Sequence, residues 1–213
     1  MHKIGVIGSA SVGQTLARGF QQHGYDVRIG SRTPAKLSEF STETGIAAAT
    51  FADVAAWGDA IVLAVAGAGA EDALRAAGEP NLRGKIVMDA TNPIADAPPF
   101  DGVIPFFTDP NSSLMEHLQQ AFPQARFVKA FSCVGAARMV NPSFSGGKPT
   151  MFYCGNDPEA KTFVAHVLTQ FGWNAADMGG AAAARAIEPL ARLWCIPGFR
   201  QNHWTHAFAL LWQ

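Results

Sequence analysis

Ile4-Gly5-Val6-Ile7 runs into Gly8-Ser9-Ala10-Ser11-Val12-Gly13, and after a helix-patterned stretch Val27-Arg28-Ile29 ends in Gly30-Ser31-Arg32-Thr33. The first segment reads as a strand, a tight turn and the start of a helix. Glycines in such a turn let the backbone approach a pyrophosphate, and the helix N-terminus that follows favours negative charge. Gly8, Ser9, Ala10, Ser11 and Val12 are therefore the expected phosphate turn, with Ala10 replacing the middle glycine of the usual fingerprint. The end of the second strand, about 20 residues on, is where an NAD-preferring site places Asp or Glu against the ribose hydroxyls. Ser31 and Arg32 stand there instead, and a cation at that place meets a 2′-phosphate. The dinucleotide expected is NADP(H). Lys36, one helical turn farther, adds a point charge or is a surface lysine, and Thr33 before Pro34 reads as a helix cap.

The 213 residues suit one domain, or a domain with a modest extension. A hydrophobic share of 48% with 15% charged residues excludes a disordered chain. The longest apolar run, Ala60 to Ala70, has 11 residues, too short to cross a bilayer. Met1-His2-Lys3 leads straight into the first strand, so a signal peptide is not expected, and the expected location is cytoplasmic. A net charge of −1 gives no reason to expect nucleic acid or an anionic membrane as partner. Cys133, Cys154 and Cys195 lack any CxxC spacing and suit reduced thiols rather than a disulfide framework.

Farther along, the pattern predicts a helix from Thr33-Pro34 toward Thr44, a short third strand at Thr50-Phe51 and a short helix over 52–57. A buried strand follows over 60–65, then a helix over 71–77 and a strand over 85–88 that ends in Asp89-Ala90-Thr91-Asn92-Pro93. A helix over 113–121 and a sixth strand over 126–130 complete a core in which strands and helices alternate. That alternation argues for a Rossmann-type doubly wound α/β fold on a parallel sheet. A strand over 150–154, a helix from Asp157-Pro158 to Phe171, a strand over 173–177 and an Ala-rich helix over 181–194 form a smaller α/β extension. The expected division is 1–130 for the nucleotide-binding core and 131–213 for an acceptor-site and oligomerisation extension.

In open α/β sheets ligands bind outside the carboxyl ends of the strands. Ala64, Val65, Ala66 and Gly67 end one strand with side chains small enough for a flat ring to lie against. Thr91 and Asn92 end the next, facing a nicotinamide or serving only as a turn before Pro93. Lys129-Ala130-Phe131-Ser132-Cys133-Val134-Gly135-Ala136 ends the sixth. Ser132, Cys133 and Val134 are candidates for the acceptor pocket, and Ala136 for a nucleotide contact. Cys133 as a nucleophile has no base at a recognisable spacing. Lys129 is the nearest candidate acid, of undetermined orientation. His203 and His206 sit three apart on a possible helix, but two histidines are weak grounds for zinc, so no metal is expected. Trp194, Ile196, Phe199, Trp204, Phe208, Leu211 and Trp212 either fold back over the core or form a twofold dimer interface.

Taken together these motifs resemble the NADP oxidoreductases that use the deazaflavin coenzyme F420, and the related cytosolic domains of six-transmembrane metalloreductases. The residues that carry the resemblance are Ile4 to Gly8, Gly30-Ser31-Arg32, Asp89 to Pro93, Val128-Lys129-Ala130-Phe131, Cys154 to Ala160 and Ile187 to Trp194. The resemblance implies hydride transfer between a nicotinamide and a flavin-like ring, with a flavin or deazaflavin as co-substrate. It also marks Ser132 as a departure, because relatives often carry Asn there, or His in deazaflavin users. The competing readings are a non-catalytic NADP(H) redox sensor and a small-substrate dehydrogenase. The latter usually needs an all-helical C-terminal domain, at odds with the strand–helix alternation over 150–177.

Overall fold

The computed structural model describes residues 2–211. Trp212, one of the aromatic residues named for the interface, lies outside them. The chain opens with β1 (Lys3–Ile7), α1 (Ser11–Gln22) and β2 (Asp26–Gly30), then α2 (Ser38–Thr44), β3 (Ala47–Ala49) and α3 (Phe51–Trp57). β4 (Ala60–Leu63), α4 (Ala70–Ala77), α5 (Glu79–Leu82), β5 (Ile86–Asp89), α6 (Leu114–Ala121) and β6 (Arg126–Lys129) complete the first half. The second half is β7 (Thr150–Gly155), α7 (Pro158–Gln170), β8 (Asn174–Asp177), α8 (Ala184–Ile187) and α9 (Leu190–Gln201).

All the strands join one eight-stranded sheet in the order β3-β2-β1-β4-β5-β6-β7-β8. The run from β3 to β6 is parallel, the Rossmann arrangement that the alternation predicts. β7 then pairs antiparallel to β6, and β8 pairs parallel to β7. The sheet is thus mixed rather than wholly parallel, and residues beyond 130 lengthen it. Because successive side chains on a strand point to opposite faces, apolar runs feed two cores. Ile4, Val6, Val62, Met88 and Val128 pack under α1 and α7 with Leu16, Phe20 and Val164. Ile7, Ile61, Leu63, Val87 and Phe127 pack under α3, α4 and α6 with Leu74 and Leu118.

Local chemistry moved several boundaries. Thr33 makes no side-chain cap; a 3-10 turn over Pro34–Leu37 comes before α2, and the Thr33 N–H donates instead to Ser31 Oγ at 3.1 Å. Thr50 is not in a strand. Its hydroxyl caps α3 by accepting from the Asp53 N–H, and the third strand is the alanine run just before it. The Ala-rich helix is broken because Pro189 has no N–H to give the helix ladder, leaving a turn between α8 and α9. His203 and His206 lie beyond the left-handed Asn202 that ends α9, so they share no helix. Among the described residues no helix is long and apolar enough to cross a membrane.

The final stretch folds back. The Thr150 N–H donates to the Phe208 carbonyl at 2.9 Å, and Trp194 Nε1 donates to the His206 carbonyl at 2.8 Å while its indole stacks on the His206 ring. Trp194 is buried and Phe208 half-buried, whereas Leu193, Phe199, Trp204 and Leu211 stay exposed.

Candidate functional site

The turn after β1 is shaped by two close approaches. Gly8 adopts φ 139°, and a Cβ on it would stand 2.2 Å from the Ala64 carbonyl oxygen. A Cβ on Gly13 would stand 2.0 Å from the Gly8 carbonyl oxygen, so glycine at both positions lets α1 sit directly on the turn. Gln14 Nε2 donates to the Ser9 carbonyl at 2.9 Å and pins the loop. Ala10 precedes α1 as its N-cap residue, with no side chain to cap the helix, and no acidic residue stands in the first turn. α3, α6 and α7 are each capped by a Thr, Ser or Asp side chain. The first-turn N–H groups of α1 are thus left for an external acceptor, and the helix dipole favours an anion there.

A cleft of about 520 Å³ opens beside this turn, walled by Gly8, Ser9, Ala10, Ser31, Arg32, Thr33, Lys36, Phe51, Ala64, Val65 and Ala66. A smaller hollow of about 170 Å³ continues past Arg32, Phe51 and Val65 to Ala73 and Ala76 on α4. Ser31 is buried, and with its oxygen accepting from Thr33 its own hydroxyl proton stays available to donate. Arg32 and Lys36 are exposed and sit on the same wall. Small walls, unclaimed backbone donors and two cations suit a phosphorylated dinucleotide. The residues present fit NADP(H).

Most residues expected from sequence to touch the nucleotide share this wall. Ser11 and Val12, in the first turn of α1, are not among its walls, nor are Asn92 and Ala136. Phe51, which floors the cleft, was not anticipated; it reads in the sequence as ordinary core.

Asn92 sits at the carboxyl end of β5, where its own carbonyl packs on Gly67: a Cβ there would fall 1.9 Å from the Asn92 oxygen. Asn92 Nδ2 donates to the Ser132 carbonyl at 2.7 Å, leaving Asn92 Oδ1 and Ser132 Oγ buried without a partner. Phe131 turns the chain here at φ 62°, a left-handed conformation that an aromatic side chain keeps only when its surroundings enforce it. It is fully buried, and its N–H faces Met151 Sδ at 3.2 Å. Ser132, Cys133 and Val134 do not open onto the nucleotide cleft. These residues, expected at the acceptor pocket, are 4%, 2% and 7% exposed. Burial pushes the Cys133 thiol up to about 12, so it holds no thiolate at neutral pH.

Lys129, whose direction the strand alternation leaves open, is wholly buried. Its Nζ lies 2.7 Å from Asp89 Oδ2, 2.8 Å from Glu188 Oε1 and 2.8 Å from the Thr91 carbonyl oxygen. Asp89 Oδ1 also accepts from the Thr91 N–H and hydroxyl at 2.9 and 2.7 Å. Glu188 accepts from the Leu114 and Met115 N–H groups at the start of α6, both at 3.0 Å. Burial alone would lower the Lys129 pKa, but the two carboxylates outweigh it and raise it, so the ammonium stays charged. Wholly buried and held among these three partners, Lys129 has no exposed proton to offer a substrate as a general acid. Charged residues inside apolar strand ends were a legible hint of pairing, since such groups are rarely buried alone. Glu188, 59 positions beyond Lys129, was not legible.

Comparison with known proteins agrees with this geometry. Residues 3–93 match the family model described as NADP oxidoreductase coenzyme F420-dependent. A solved structure from Arthrobacter sp. FB24, named as a candidate F420-dependent NADP-reductase, is 33% identical, covers 100% of both chains and superimposes with a TM-score of 0.93. A hypothetical protein of Sinorhizobium meliloti is 27% identical with a TM-score of 0.74, covering 86% of this chain and 88% of that one. Metalloreductase STEAP3 of Rattus norvegicus is 27% identical over 92% of this chain, which spans 38% of that relative's length. A reductive aminase from Aspergillus terreus, solved with NADPH4, is 19% identical with a TM-score of 0.65 over 93% of this chain and 61% of its own, a likeness of fold.

Proposed function

The chain belongs to the family of coenzyme F420-dependent NADP oxidoreductases, and from that premise we propose that it passes a hydride between the nicotinamide of NADP(H) and a flavin or deazaflavin ring. The observation that carries the choice of acceptor is the lack of acid–base equipment at the nicotinamide end. Reduction of a ketone calls for a positioned proton donor, normally His, Lys or Tyr. Among the described residues at the ends of β4, β5 and β6, the ionisable Lys129 is wholly buried and held by Asp89, Glu188 and the Thr91 carbonyl, out of reach of a substrate. Hydride transfer between two flat rings needs only orientation and exclusion of water, with the chemistry residing in the cofactors.

In this reading the first turn of α1 and Gly8 to Ala10 hold the pyrophosphate, while Ser31, Arg32 and Lys36 hold the 2′-phosphate. The hollow between Arg32, Phe51 and Ala73 takes the adenine. The nicotinamide lies over Ala64 to Gly67 with its carboxamide against Asn92. The exposed Leu193, Phe199 and Leu211, with Phe100 nearby through the Asp101–Arg200 ion pair, support a homodimer, which light scattering at micromolar concentration checks.

Stopped-flow mixing of the NADPH-loaded protein with FMN, FAD and coenzyme F420 tests the acceptor. Rapid reduction of one of them, with matching loss of NADPH absorbance, is the expected result. Tight NADPH binding without reduction of any would favour a redox sensor.

A further inference from the structure

The cluster of Asp89, Lys129 and Glu188 does more than fill the core, because one of its bonds ends on the backbone of the segment assigned above to the nicotinamide. Lys129 Nζ donates to the Thr91 carbonyl at 2.8 Å, and Asp89 grips the same residue through its N–H and hydroxyl. A trans peptide points its carbonyl and its N–H to opposite sides. Fixing the Thr91 carbonyl toward Lys129 therefore turns the Asn92 N–H away from the cluster. From there the Asn92 side chain reaches the Ser132 carbonyl, and its main chain abuts Gly67 at the end of the β4 segment. Glu188 anchors the other side of Lys129 and, through the Leu114 and Met115 N–H groups, the start of α6.

We propose that Lys129 is a positioning residue for the nicotinamide end of bound NADP(H): by holding the Thr91 carbonyl it sets the Thr91–Asn92 peptide, and so the place where Asn92 meets the carboxamide. The inference rests on the assignment of Asn92 made under Proposed function. It accounts for a costly arrangement. Three wholly buried charges contribute little net stability compared with apolar side chains of the same volume, so an ion cluster kept at this place calls for a geometric role.

Lys129→Met combined with Glu188→Gln removes the Thr91 donor while leaving one buried negative charge, as before: two carboxylates and one ammonium become one carboxylate. The probes are NADPH and 2′,5′-ADP, the latter carrying the adenine and both of its phosphates but no nicotinamide. The expected result is 2′,5′-ADP affinity within about twofold of the unmodified protein and an NADPH to 2′,5′-ADP affinity ratio lowered about tenfold. An unchanged ratio, or equal loss for both ligands, would overturn the proposal and leave the cluster a matter of stability alone. Should the double variant not fold, the unmodified protein still decides it. NADPH should shift the 15N resonance of Lys129 Nζ and the Thr91 amide, and 2′,5′-ADP should not; resonances unmoved by NADPH would overturn the proposal. Asn92→Ala separates the two claims. If it leaves the ratio unchanged, the assignment of Asn92 fails and the inference with it. If it lowers the ratio while the double variant does not, only the role of Lys129 is lost.

Discussion

At the end of β2 the nucleotide cleft carries Arg32 and Lys36, both exposed, whereas at the ends of β5 and β6 the charges of Asp89, Lys129 and Glu188 lie entirely out of water. The exposed cations have room to meet a ligand phosphate and are screened by salt until they do. The buried charges are spent on one another and on the backbone. In the proposed reading one end of the nucleotide site recognises charge directly, and the other arranges neutral groups by means of charges that never touch the ligand. Substitutions at the two ends should therefore fail in different ways.

The largest difference should appear in stability. Lys129→Met alone leaves two buried carboxylates without their cation and should cost about 3–5 kcal/mol of folding free energy, read from chemical denaturation. Arg32→Ala, at a surface position, should stay within about 0.5 kcal/mol of the parent. The same contrast extends to alkaline pH. The Lys129 pKa in the folded state is raised above its ordinary 10.5, so its contribution is complete below that pH and is lost as pH climbs through the folded value. Tyr25 and Tyr153, raised by burial, act in the same direction. Cys133 and Cys154, pushed by burial from 9.0 up to about 12, act the same way from lower pH, so denaturation midpoints should begin to fall above about pH 9, with a further share above 10.5 that the Lys129→Met and Glu188→Gln double variant lacks.

In binding the order reverses. Arg32→Ala should weaken NADPH by about 2–3 kcal/mol, since a charge-assisted bond to a phosphate is worth that much, and should leave NADH nearly unchanged. Isothermal titration of both nucleotides checks it, and equal losses would place Arg32 away from the 2′-phosphate. Lys36→Ala should have the smallest effect, about 0.5–1 kcal/mol for NADPH, and should shrink further at high salt because an exposed point charge is screened.

The two ends also differed in how far the sequence disclosed them. Gly8, Ser31 and Arg32 were legible because each acts within a turn whose spacing is local. The parallel α/β arrangement from β3 to β6 followed from the alternation of strands and helices. The burial of Ser132 to Val134 was not legible, since nothing in their spacing reveals that Phe131 takes a left-handed turn. Thr33, read as a cap, makes none, and Thr50, read as strand, is one, because only the hydrogen bonds distinguish a true cap from a turn. Glu188 was beyond reach: its partners come from β5, β6 and α6, and only the tertiary fold brings them together.

The central claim is that the wall formed by Ser31, Arg32 and Lys36 reads a 2′-phosphate. Titrating NADPH and NADH into the unmodified protein under identical salt tests it most directly, because the two ligands differ only by that group. The account predicts that NADPH binds at least about thirtyfold more tightly. Equal affinities would contradict it.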